Sequence, residues 1–224
     1  LGHTDNEDKK NKIMKRFIKF LIDSFDYEKN YKLANTRPPV IAKDKEHLFK
    51  LIKKELHLYG NKCSLNHIDV SQIGDMSNLF RHSEFNGDIS KWNTVNVSNM
   101  KYMFAESKFN GDISNWNVSN VQDMMSMFSE SIFNRDISKW NVENLKSMSY
   151  MFKESLFNKD ISDWKPYKEK GFFETFEDAK MKIPYWAGYD DLDDRKRAID
   201  RYHWEKELSQ DLSVKNSSKK RVKI

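Results

Sequence analysis

Four aspartates, Asp88, Asp112, Asp136 and Asp160, stand 24 residues apart. They are the side chains whose type and spacing come nearest to a chemical site. Brought to one edge by a repeating backbone, they would form an acidic stripe for a cationic partner or for Ca²⁺. Ca²⁺ needs six to eight oxygens converging on one point, which one Asp per repeat does not supply. Each Asp also lies two residues after an Asn, in a turn-prone stretch where such side chains satisfy backbone N–H groups. A hydrogen-bonded ladder is therefore the expected role. The six histidines (His3, His47, His57, His67, His82 and His203) show no His-x-x-x-His spacing, and no glycine-rich loop is laid out to cradle a phosphate. Cys63, the single cysteine, excludes an internal disulfide and a Cys-cluster metal site. It stands in an imperfect repeat unit, where a structural thiol is expected rather than a nucleophile. No catalytic residue, no cofactor and no metal ligand is assigned, and the chain is read as non-enzymatic.

The element that must position these residues is a repeat. Phe85-Asn86-Gly87-Asp88-Ile89-Ser90-Lys91-Trp92 returns at Phe109–Trp116, Phe133–Trp140 and Phe157–Trp164. The second half repeats too: Val97, Met100, Met103 and Phe104 answer to Val121, Met124, Met127 and Phe128, then to Leu145, Met148, Met151 and Phe152. The same phase carried back places Leu65, Ile68, Met76 and Phe80 in equivalent slots, and carried forward places Phe172, Phe176 and Ala179. Five units thus fill residues 61–180. The outer two are imperfect, as terminal units of a stack are expected to be.

One unit cannot bury its Ile, Trp, Val, Met and Phe alone, so stacking into columns is required. Trp92, Trp116, Trp140 and Trp164 form one core column, and Phe104, Phe128 and Phe152 another. Each buried Phe or Met contributes roughly 1.5–3 kcal/mol on transfer from water. Asp-Ile-Ser-x-Trp is read as a short strand entered through a tight turn. The Val, Met and Met at steps of three are read as one face of a short α- or 3₁₀-helix. The Gly87 and Gly111 slot holds Arg135 and Lys159 in later units, so it is expected to tolerate a side chain pointing to solvent. Two slots vary from unit to unit, one with Lys91, Asn115, Lys139 and Asp163, the other with Lys101, Met125 and Ser149. Repeat scaffolds put recognition on such positions, so these seven are the candidate partner-binding residues.

The pattern resembles the BspA-like leucine-rich repeats, in the form found in mycoplasma lipoproteins and many bacterial surface proteins. Phe109, Asn110, Asp112, Ile113, Ser114, Trp116, Val118, Ser119, Val121, Met124, Met127 and Phe128 follow it closely, and the likeness covers roughly residues 40–186. The resemblance implies an α/β repeat fold, a short right-handed leucine-rich-repeat solenoid. It also implies interaction with proteins or host surfaces. The lipid-anchor cysteine of the mycoplasma proteins is not matched, because Cys63 lies inside the first unit.

The flanks complete the organisation: an N-terminal helical flank and cap over 1–60, a C-terminal cap and helix over 181–212, and a basic tail over 213–224, expected to be disordered. Lys9–Phe25 reads as a basic amphipathic helix with Met14, Phe17, Ile18, Leu21 and Phe25 on its apolar face. Lys45–Leu56 is a second helix with Asp44 as its N-cap. Asp190 to about Leu212 is a third, with Ile199, Tyr202, Trp204 and Leu208 as candidate contacts. The net charge of +5 is too modest for a dedicated nucleic-acid binder. The expected function is binding of a protein partner through the solenoid face. The alternative is contact with a membrane surface or nucleic acid through the basic ends. No apolar run is long enough to span a bilayer, and the chain as given reads as cytoplasmic, or as surface or secreted if a signal precedes Leu1.

Overall fold

The computed structural model describes residues 37–221. The Lys9–Phe25 segment lies outside the described residues. Strand β1 (Val40–Ile41) pairs in parallel with β2 (Ile68–Asp69), with Val40 opposite Ile68. Between them runs helix α1 (Lys45–Tyr59). Asp44 caps α1 by accepting from the His47 N–H at 2.7 Å, and Gly60 ends it at φ 75°, the left-handed conformation a glycine adopts without a Cβ penalty. Leu48 and Ile52 turn the apolar face of α1 onto the array. Arg37 lies over the Tyr59 ring at 3.5 Å and pairs with Glu55, fastening the entering chain to the same helix.

From Asn61 to Lys180 each 24-residue unit lies against the next, with parallel bridges joining Asp75 to Asn99, Asn99 to Asp123 and Asp123 to Ser147. Two phenylalanine columns run through the interior, and Trp92 stacks on Trp116 and Trp140 on Trp164 beside them. Phe80, Phe104, Phe128, Phe152 and Phe176 stack at 5.5–6.3 Å between ring centroids. Phe85, Phe109, Phe133 and Phe157 stack at 5.9–6.2 Å. Each indole N–H donates to the Ile or Leu carbonyl of the preceding unit: Trp92 to Leu65, Trp116 to Ile89, Trp140 to Ile113 and Trp164 to Ile137, at 3.0–3.1 Å. A buried indole N–H needs such a partner, so this bond sets the register along with the apolar burial.

Within a unit the backbone differs from the expected short strand and short helix. Asp-Ile-Ser-x-Trp is a turn, in which the Trp N–H donates to the Ile carbonyl three residues back. The Met-x-x-Met-Phe stretch is neither α-helix nor 3₁₀-helix. Asn78, His82, Tyr102, Glu106, Ser126, Glu130, Tyr150, Glu154, Glu174 and Asp178 all lie at φ between 46° and 62°. A left-handed residue at every fourth position interrupts any right-handed helix. The apolar steps of three come from successive turns, in which Met103 donates to Met100 and Met127 to Met124. The left-handed residues turn alternate amides toward the next unit: Tyr102 donates to Met125, Phe104 to Met127 and Glu106 to Ser129, at 2.8–3.0 Å. The result is a ladder along this stretch whose backbone N–H groups all point toward the C-terminal end, while the turns beside it donate the other way, as Ser98 does to Gly74, Gln122 to Ser98 and Lys146 to Gln122. Left-handed non-glycine residues cost about 1–3 kcal/mol each and persist where surrounding bonds over-determine them, as these amide bonds do.

The glycine slot also departs from expectation. Arg135 and Lys159 carry side chains there, but a Cβ on Gly87 would meet the Cys63 carbonyl oxygen at 2.0 Å. On Gly111 the nearest contacts would be the Phe109 ring at 2.7 Å and the Gly87 carbonyl at 3.1 Å. The tight site lies in the second unit, against the imperfect first one.

The far end closes through a 3₁₀ turn (Tyr185–Gly188) and helix α2 (Leu192–Arg221). Trp186 is fully buried, and its indole N–H donates to the Ile161 carbonyl at 3.4 Å, continuing the indole series. Ile199 is buried and Tyr202 stacks on Tyr185 at 4.5 Å. Trp204 and Leu208, expected as contacts, are 63% and 45% exposed. Arg195, a charged residue outside the apolar contacts expected of this helix, is fully buried. It lies over the Phe172 ring at 4.3 Å and donates to the Glu169 and Tyr189 carbonyls. Where a disordered tail is expected from Ser213, the helix continues to Arg221. No Gly or Pro stands between Tyr189 and Ile224 to stop it.

Candidate functional site

The aspartates of the repeat are committed to the backbone. Oδ1 of Asp88, Asp112, Asp136 and Asp160 accepts from the N–H of Ser90, Ser114, Ser138 and Ser162 in turn, at 2.8–2.9 Å. The Ser114 N–H and then its hydroxyl hold the Asp112 carboxyl below its ordinary range, and Ser138 does the same for Asp136. At Asp160 the Ser162 hydroxyl leads and the N–H follows. At Asp88, burial works to raise the value but is outweighed by Ser90 and by the Asn66 amide at 2.6 Å. Beside them runs an asparagine ladder: Asn86, Asn110 and Asn134 each accept, through Oδ1, the backbone N–H of the Asn one unit on, at 2.9–3.0 Å. Among the described residues no group of three or more His, Cys, Asp or Glu side chains is placed to hold a metal ion. Cys63 is 4% exposed, and burial pushes its thiol up to about 11, away from thiolate chemistry.

What the turns leave exposed is a groove. Asp112, Ser114, Asn115, Arg135, Asp136 and Lys139 line a depression of about 370 Å³. Asp136, Ser138, Lys159, Asp160, Asp163, Tyr202 and Lys206 line an adjoining one of about 420 Å³. Asp136 belongs to both. The variable slot and the acidic row therefore meet on one face, where Asn115, Lys139 and Asp163 stand beside Asp112, Asp136 and Asp160. Cations alternate with the acids along it, and the Arg135 Nε also donates to the Asn110 carbonyl at 2.7 Å. Helix α2 closes one end, where Lys206 Nζ reaches Asp163 at 2.5 Å. Lys91 and Asp88 lie outside these two depressions, and Asn66 engages both the Lys91 N–H and the Asp88 carboxylate.

Lys101, Met125 and Ser149 do not line the groove. They are half-buried, and their carbonyls are the ladder acceptors for Asn78, Tyr102 and Ser126. A second acidic row, Glu106, Glu130, Glu154 and Asp178, lies along this ladder, at its left-handed positions. The 24-residue step alone would have found that row. Nothing in the sequence marks those positions as left-handed, because Glu, Tyr and Ser carry no signature of it. Lys206 and Tyr202 join the groove from outside the repeat, beyond the reach of periodicity.

Among the described residues no helix is long and apolar enough to cross a membrane. The fold and its repeating surface define a tandem-repeat protein of stacked 24-residue units. Residues 47–153 and 129–184 match the family described as Mycoplasma protein of unknown function, DUF285, and the chain belongs to that family. No curated protein and no solved structure matches it.

Proposed function

We propose that the chain is a short solenoid of the BspA-like leucine-rich-repeat kind and acts as a non-enzymatic module that binds a protein partner through the groove between Asp112 and Lys206. The observation that carries this reading is the division of labour within each unit. Asp, Asn and Trp side chains at fixed slots are consumed by inter-unit and turn hydrogen bonds. The exposed slot between Ser and Trp changes in charge from Lys91 to Asn115, Lys139 and Asp163. A scaffold that holds its backbone constant while varying one exposed row presents a surface for specific recognition. The alternation of acid and base favours a folded polar surface of mixed charge over a polyanion, which would meet a carboxylate in every unit.

The test is capture from bacterial and host-surface extracts on the immobilised chain, beside an Arg135→Glu/Lys139→Glu variant with an unchanged thermal unfolding midpoint. A protein retained by the native groove and lost from the variant supports the proposal. Equal retention of every captured protein on both surfaces rejects it.

A further inference from the structure

The inter-unit ladder runs one way, so its two ends differ. Amides at alternate positions donate to carbonyls 23 residues ahead, from Asn78 to Lys101 through to Glu154 to Glu177. In the last unit the amides of Glu174, Phe176 and Asp178 donate to nothing among the described residues. In the first unit the carbonyls of Ser77, Leu79 and Arg81, at the acceptor positions of the same ladder, accept nothing among them. One end therefore offers three aligned N–H groups and the other three aligned C=O groups, with the spacing that joins units inside the array. Unpaired edges of this kind are templates for pairing with another chain.

The side chains around the two edges are complementary. The donor edge carries Glu174 and Glu177, which share Lys153, and Asp178, and Phe173 stands 61% exposed beside them with one edge on the Tyr150 ring. The acceptor edge carries Lys45, paired with Asp75, and Arg81 and His82, both beside Glu106, with an apolar groove of about 440 Å³ lined by Lys45, Glu46, Phe49, Ser77, Asn78 and Leu79. The register of the repeat fixes which group would meet which. A copy whose last unit continues the ladder beside α1, in the register of the array, puts Phe173 next to Ser77, in that groove. It puts Glu177 beside Arg81 and Asp178 beside His82. The last pairing has a precedent in the chain, where His82 Nδ1 lies 2.9 Å from the Glu106 carboxylate of the next unit.

We infer that the occupant of the groove at the first unit is a second copy of this chain, docked head to tail through its last unit. The three amides of Glu174, Phe176 and Asp178 would donate to the carbonyls of Ser77, Leu79 and Arg81. Phe173 fills the groove against Phe49. The contact joins two different surfaces, so it does not close on itself as a two-fold dimer does, and copies add in series. It is confined to the ladder side, since α1 and α2 cover the two ends of the core. One edge of a terminal unit on each side is expected to bury less than the roughly 1,600 Å² of a stable standard interface. Association is therefore weak, with a dissociation constant on the order of 100 μM.

Sedimentation velocity on the full chain between about 10 μM and about 1 mM reads the association. The expected result is a weight-average mass that climbs past the dimer without a plateau. Arg81→Glu and Glu177→Arg, each alone, should weaken association at least about tenfold, and an equal mixture of the two should restore it. Phe173→Ser, at a 61% exposed position where only the edge contact with Tyr150 is given up, should weaken it and serves if a charge reversal lowers the thermal midpoint. A chain that stays monomeric throughout, as it would if its own residues filled the groove, overturns the inference. So does a mass that stops at the dimer and ignores the charge reversals.

Discussion

Glu130 shows how the surface of this protein is tied to its backbone. Its side chain is exposed, its φ is 53°, and its N–H donates to the Lys153 carbonyl at 2.8 Å. Replacing it with glycine removes the steric cost of the left-handed conformation and leaves the bond in place. Glu130→Gly should raise the unfolding free energy by roughly 1 kcal/mol in a urea titration. In a helical unit the same substitution would lower it by about as much, so the sign discriminates. The aspartates act through protonation. Their carboxyls are held below the ordinary range in the folded state, so the stability they contribute is present above the unfolded value of about 3.9 and is lost as pH falls through the folded values. Acidification below about pH 4 should lower the urea midpoint. The triple variant Asp112→Asn/Asp136→Asn/Asp160→Asn should lose less, because an amide oxygen still accepts the Ser N–H but does not titrate.

At the scale of elements, each flanking helix is docked by a few buried groups, Leu48 and Ile52 for α1 and Arg195 and Ile199 for α2. Arg195 anchors α2 through the Phe172 ring and the carbonyls of Glu169 and Tyr189. Arg195→Ala removes all three contacts, at a cost of about 3 kcal/mol for docking the helix. Limited proteolysis should then cut α2 several-fold faster at its Lys and Arg residues while the array stays resistant. Equal cleavage rates would place the anchor elsewhere. The 24-residue period was legible in the sequence because it recurs at a dozen slots, and the Phe rings from Phe80 to Phe176 stack at that step. The conformation inside a unit was not. Met100 and Met103 three apart satisfy a helical pattern, but successive turns with Tyr102 and Glu106 left-handed produce the same spacing. Trp186 escaped the phase for another reason: it reaches the next indole position 22 residues after Trp164, through the tighter path of the 3₁₀ turn. The groove was half legible. Asn115, Lys139 and Asp163 followed from the variable slot and Asp112, Asp136 and Asp160 from the acidic row, whereas Arg135, Lys159 and the residues that α2 brings did not.

Across the whole molecule, stability is expected to be greatest in the middle units, which have a neighbour on both sides. Phe128 is fully buried and stacks on Phe104, Phe133 and Phe152. Phe128→Ala should cost roughly 3–5 kcal/mol. Phe176 is partly buried against Phe152, Phe172 and Trp186, and the same change there should cost less in a denaturant titration. The one-way ladder is the feature from which the stacking, the strain and the unlike ends all follow. Residue-resolved hydrogen exchange at low protein concentration reads it directly. The amides of Tyr102, Phe104, Glu106, Ser126, Phe128 and Glu130 should be strongly protected, and those of Glu174, Phe176 and Asp178 should exchange at rates typical of exposed amides. Equal protection across both sets, or exposure of the Tyr102–Glu106 amides, would contradict the ladder.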